Sequence, residues 1–171
     1  MKSTFFKSVF VLAFVFASVG AMAQGDIVSV ASGSKDHTTL VAAVKAADLV
    51  ATLQGKGPFT VFAPTNSAFA KLPAGTVDNL LKPENKAMLA SILTYHVVAG
   101  NLNAVAVMAA IKAGKGKAVL TTVNGGKLVA SLKGANVILT DEKGGVATVV
   151  ATDLKASNGV VHVIDTVVMP M

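Results

Sequence analysis

The sequence predicts an α+β fold, with helices mainly in the N-terminal half and strands in the rest, and three features carry that prediction. Apolar residues between positions 24 and 113 recur mostly at helical spacing, interrupted by one strand-like run. From Lys117 onward they fall into short β-branched runs. Those runs are separated by Asn124-Gly125-Gly126, Lys133-Gly134-Ala135 and Lys143-Gly144-Gly145, turns short enough to make neighbouring strands antiparallel. The order is helices, one strand, helices and then strands, which is not the alternation of a parallel α/β sheet.

Each element has a local reason. Ile27, Val28, Val30 and Ala31 form a first short helix, and Ser34 to Thr38 supply turn and cap chemistry. Leu40, Val41, Val44 and Ala47 share one helical face, and Leu49, Val50 and Leu53 add a further turn before Gly55 and Gly57. Pro58–Ala63 is a strand opened by proline and stopped by Pro64. Thr65 or Asn66 caps a short helix carrying Phe69 and Leu72. Gly75 to Leu81 form another short helix. Pro83 is placed as the first residue of a longer helix with the stripe Met88/Leu89, Ile92/Leu93 and Tyr95/His96, ended by Val97, Val98 and Gly100. Ala104 to Ala113 form one more. The expected strands are Ala118–Val123, Lys127–Leu132, Val137–Thr140, Val146–Ala151 and Val160–Val168.

The chain opens with Lys2 and Lys7, an apolar run from Val9 to Val19, and the small-residue site Ala21-Met22-Ala23. The run is about 11 residues, short of the ~20 that a membrane-crossing helix needs. Residues 1–23 are read as a cleaved secretory signal and 24–171 as a single domain, secreted or periplasmic, with no transmembrane segment after cleavage. Removing the signal leaves 148 residues, enough for one sizeable core.

Those 148 residues carry 13 lysines against 9 acidic groups, a formal charge of +4, with no arginine. Specific nucleic-acid contacts favour the arginine fork, so nucleic acid is not an expected partner. Lys112, Lys115 and Lys117 cluster as a solvated loop does. The chain has no cysteine, so apolar burial and backbone pairing must hold the fold without disulfides.

Patterns of catalysis are missing. There is no G-x-S-x-G, no H-E-x-x-H and no phosphate-binding loop, and no close carboxylate pair. No cofactor or metal is expected. His37 sits in a polar stretch and is expected to be exposed. His96 follows Tyr95 at a helix end, where an imidazole meets terminal carbonyls. His162 lies in an apolar strand, the setting of a hydrogen-bonded core histidine. A joint His96–His162 metal site lacks further ligands. A hydrolase pairing His96 with Thr65 lacks an orienting third group.

Thr60-Val61-Phe62-Ala63-Pro64-Thr65-Asn66-Ser67-Ala68-Phe69, the pair Tyr95-His96, and Asn158-Gly159-Val160-Val161-His162-Val163-Ile164-Asp165 occur in that order. Together they resemble the two signature segments and central Tyr-His motif of the fasciclin-like (FAS1) domain family. The resemblance runs from about Ile27 to Met169. It implies a FAS1-like β-wedge of two sheets, with helices packed mainly in the N-terminal half. It also implies a non-enzymatic adhesion or matrix-interaction module with a cell-surface or matrix protein as partner. By the same resemblance, Tyr95, His96, Val97 and Val98 are candidate contact positions. Thr60, Phe62, Pro64, Thr65, Asn66, Phe69, Asn158, Gly159, His162 and Asp165 are assigned a structural role. A buried His96 or His162 would then tie segments together, with Thr65 or Asn66 as a natural partner. Carotenoid-binding members make carriage of a small apolar ligand, a carotenoid or lipid, the alternative function. Oligomeric state is not encoded in any of these features.

Overall fold

A computed structural model of the chain describes residues 24–171; the expected signal segment, 1–23, lies outside the described residues. Asp26 caps α1 (Ile27–Ser32) by accepting from the Ser29 N–H at 2.7 Å. A 3₁₀ turn over Lys35–His37 leads into α2 (Thr38–Ala46), followed by α3 (Val50–Leu53). Strand β1 (Phe59–Pro64) comes next, then α4 (Asn66–Ala70) and α5 (Thr76–Leu80). Pro83 opens a separate 3₁₀ turn, and α6 begins only at Lys86, running to Tyr95. Val97–Ala99 form a short strand, β2, rather than the fading end of the preceding helix. Asn103 caps α7 (Ala104–Ala113). The remainder is β3 (Lys117–Thr121), β4 (Lys127–Lys133), β5 (Asn136–Thr140), β6 (Val146–Ala156) and β7 (Gly159–Ile164).

The strands pair in the order β2-β1-β7-β6-β5-β4-β3. From β3 to β7 every neighbour is antiparallel, as the turns require. The exception is β1 with β7, a parallel pair in which Phe62 lies opposite His162. β6 belongs to both halves of the wedge: its start pairs with β5, and from Val149 onward it pairs with β7. Two register shifts bend it there, at Val149/Ala151 and Ala151/Leu154. Asp153, in the second, holds φ at 58°. The far edges meet through a bridge between Val98 and Thr122, and the Val123 N–H donates to the Val97 carbonyl at 2.7 Å.

Alternation along β1 builds two cores. Val61 and Ala63 face the N-terminal helices and pack with Leu40, Val44, Leu89 and Leu93. Phe62 faces the other way and joins Tyr95, Ile111, Leu128, Leu139 and Ile164 between the two sheet walls. Complete burial of one such side chain contributes about 1.5–3 kcal/mol. The outer face of the first wall, β2-β1-β7, is thus covered by helices. Among the described residues, no helix covers the outer face of the second wall, β3 to β6: Val119 is 61% and Val146 49% exposed.

Candidate functional site

The first and last motif segments run side by side as β1 and β7. Thr60, fully buried, donates its hydroxyl to the Gly100 carbonyl at 2.8 Å and accepts the Leu102 N–H at 2.8 Å. His162 reaches the same loop: its Nε2–H donates to the Leu102 carbonyl at 2.6 Å, leaving Nδ1 to accept the Asp153 N–H at 3.4 Å. The Asp153 carboxylate in turn accepts the Ala104 N–H at 2.8 Å, at the first residue of α7. The Phe62 ring stacks on the His162 ring at 5.6 Å between centroids and 25° between planes. Strands β1, β6 and β7 therefore together fix the approach to α7.

The Tyr95-His96 pair joins this frame from the end of α6. The His96 Nδ1–H donates to the Ile92 carbonyl at 2.8 Å, so Nε2 accepts the Val168 N–H at 3.2 Å. Both ring nitrogens are satisfied by backbone with the ring neutral. Burial holds its pKa down to about 4 despite the Ile92 carbonyl, which favours the proton. The Tyr95 hydroxyl donates to the Lys127 carbonyl at 2.6 Å and accepts the Glu142 N–H at 3.2 Å. Its ring lies against Gly126, where a Cβ would come within 2.7 Å of Cε2. Burial pushes the phenol's pKa up.

The other motif residues are buried or half-buried. Asn158 accepts the Ile27 N–H at 3.0 Å and donates to the Leu53 and Gly55 carbonyls at 2.6 and 3.1 Å. That one amide fastens both ends of the first helical layer to the β6–β7 turn. Gly159 lies so close to β1 that a Cβ there would overlap the Phe59 carbonyl oxygen. Thr65 caps α4 by accepting the Ala68 N–H at 3.2 Å. Asn66 accepts the Thr39 N–H and donates to the Lys35 carbonyl, both at 3.0 Å. Pro64 is fully buried and Phe69 is 6% exposed. Burial at Asp165 works against ionisation, but the Thr148 N–H, the Thr166 hydroxyl and the Lys71 ammonium outweigh it and hold the carboxyl low.

Several expectations are corrected by this geometry. Tyr95, His96, Val97 and Val98 are between 0% and 5% exposed, so a partner cannot touch them while the fold is closed. Helix α6 turns them inward because its end is the seam between the two cores. His37 is buried, not exposed: Nδ1 pairs with the Ser34 hydroxyl at 2.8 Å, and among the described residues Nε2 has no hydrogen-bond partner. Burial lowers its pKa. Neither Thr65 nor Asn66 bonds His96 or His162; all four satisfy other groups. Thr65 and His96 are thus not paired as nucleophile and base. Among the described residues, no three of His, Asp or Glu gather as a metal site would require.

Asp141 was not singled out by the sequence reading. It is 8% exposed and accepts the Gly145 N–H at 2.6 Å and the Lys143 N–H at 3.0 Å. Its second oxygen accepts the Met169 N–H at 3.0 Å, holding the last segment in place. An aspartate opening a Glu-Lys-Gly-Gly turn was the signal that could have found it.

Comparison with known proteins agrees with this arrangement. Residues 35–170 match the family described as "Fasciclin domain". "Protein sll1483" of Synechocystis is 52% identical over 148 residues, which span 84% of this chain and 73% of that protein. "Cell surface glycolipoprotein MPB83" of Mycobacterium bovis is 39% identical over 158 residues, 90% of this chain and 64% of that one. A solved FAS1 domain pair from the insect cell adhesion molecule fasciclin I superposes with a TM-score of 0.58 at 25% identity, covering 74% of this chain and 42% of that one. Two ordered signature strands, a buried Tyr-His joint and a family match over most of its length place this chain in the fasciclin domain family.

Proposed function

We propose that the protein is an exported, non-enzymatic interaction module that binds a protein or cell-surface partner. The observation that carries this reading is the direction of its polar motif side chains. Thr60, His96, Asn158 and His162 all bond backbone groups of other segments. That use builds a scaffold and leaves the surface for recognition. Relatives named for the cell surface and for cell adhesion support the same reading. Tyr95 and His96 then serve binding indirectly, by holding the two cores in register. The test is binding of the labelled protein to intact cells of its source organism. Saturable binding that disappears after protease treatment of the cells is expected; binding that never saturates would sink the reading.

A second reading, carriage of a small apolar ligand such as a carotenoid or lipid, has one observation in its favour. A cavity of about 40 Å³ lies between α1–α3 and the β1–β2 edge, walled by Ile27, Leu40, Val44, Leu53, Val61 and Leu93. Ligand sites are roughly 300–1,000 Å³, so α1 would have to move outward to admit one. Organic extraction of protein purified from its native host decides it: an extract without an apolar compound excludes this function.

A further inference from the structure

The uncovered outer face of β3 to β6 has a pattern that the scaffold does not use. Register places Val119, Val129, Thr140 and Val146 in one row across four strands. The next row is Lys117, Ser131, Ile138 and Thr148. Lys127 stands at one end of the face, and Lys117 and Lys133 at the other. The six residue steps along β4 from Lys127 to Lys133 span about 20 Å. The face is therefore apolar in the middle and cationic at both ends.

No aspartate or glutamate occupies any position of this face. The carboxylates at its margins are already engaged. Glu142 accepts the N–H groups of Lys127 and Met171, and Asp165 lies 3.7 Å from the Lys71 ammonium. The ion pairs among the described residues involve Lys71 and Lys86, so none neutralises the three lysines of the face.

We propose that this face docks an acidic polypeptide, whose carboxylates meet Lys117, Lys127 and Lys133 and whose apolar side chains cover the valine row. Charge selects this occupant. A second copy would set the same three lysines against each other, and like charges across an interface cost several kcal/mol. A sugar polymer finds no aromatic ring on the face and no arginine in the chain. A membrane surface finds no Trp, Phe or Leu to insert. The assignment rests on the interaction-module reading and gives that reading a surface and a partner chemistry.

The probe is a synthetic peptide of alternating glutamate and valine, titrated against the protein, with heparin and phosphatidylglycerol vesicles as parallel arms. The parent binds the peptide, and binding weakens with added salt. The triple variant K117E/K127E/K133E and the double variant V119T/V146T each lose about tenfold or more in affinity, and K35E/K45E/K82E, on the helical side, loses less than about twofold. All substitutions are at exposed positions, and thermal unfolding confirms that each variant is folded. Equal loss in the control variant, no loss in the face variants, or binding of heparin or vesicles in place of the peptide overturns the assignment. Face variants that still bind cells like the parent remove this surface but leave the interaction module standing. A parent that binds neither cells nor peptide overturns both.

Discussion

His96 Nε2 and the Val168 N–H meet at 3.2 Å across 72 positions of sequence, inside a region that excludes water. This bond needs a neutral ring, because a proton on Nε2 would face an N–H donor, whereas the Ile92 carbonyl accepts from Nδ1–H in either charge state. The pKa of about 4 in the fold lies below the ordinary value of 6.5, so the unfolded chain takes up the proton first. Stability from this group is complete above pH 6.5 and is lost as pH falls from 6.5 to 4, by about 3 kcal/mol in all. His37 is shifted in the same direction and adds to the loss. Urea unfolding at pH 7.5, 5.5 and 4 is expected to show the decline, and His96→Gln to flatten it while lowering stability at pH 7.5. A parent as stable at pH 4 as at pH 7.5 would contradict the assignment.

Tyr95→Phe separates the hydroxyl from the ring. Losing the oxygen strands the Lys127 carbonyl and the Glu142 N–H, a cost of about 1–3 kcal/mol. Tyr95→Ala also opens a void in the second core and costs about 3–5 kcal/mol. Denaturant midpoints of the two variants should fall in that order.

Asn158→Ala releases the Ile27 N–H and two carbonyls at once. A loss of about 2–4 kcal/mol is expected from these part-buried groups. Hydrogen exchange should accelerate first in α1 and α3, with β3 to β5 unchanged. Uniform acceleration across the chain would show that the amide is not a local fastener.

Gly159→Ala sets a methyl group against the Phe59 carbonyl and prevents β1 and β7 from closing. No folded protein is expected at 37 °C. Gly33→Ala is the contrast: the nearest atom to its Cβ would be 3.5 Å away in a right-handed conformation. That variant should match or slightly exceed the parent's melting temperature.

The antiparallel strands were legible because Asn124-Gly125, Gly134 and Gly144 mark turns locally. β2 was not, because Val97–Ala99 continue an apolar helix and find their partner Phe59–Val61 far back in the chain. The parallel pairing of β1 with β7 has no turn to announce it; the two motif segments pointed to one shared structural unit and not to the pairing of these two strands. At the site, residue identity was legible and direction was not. Tyr95 and His96 stood out by resemblance, but only the three-dimensional seam between the cores decides that they face inward. His37 was misjudged for the same reason: its polar neighbours in sequence are not the atoms that cover it.

The shared strand β6 has a thermal consequence. Its backbone closes one wall through Val146–Thr148 and the other through Val149–Ala156, so neither wall can shed it alone. Heating should therefore dismantle both layers in one calorimetric peak, without a half-melted species between them.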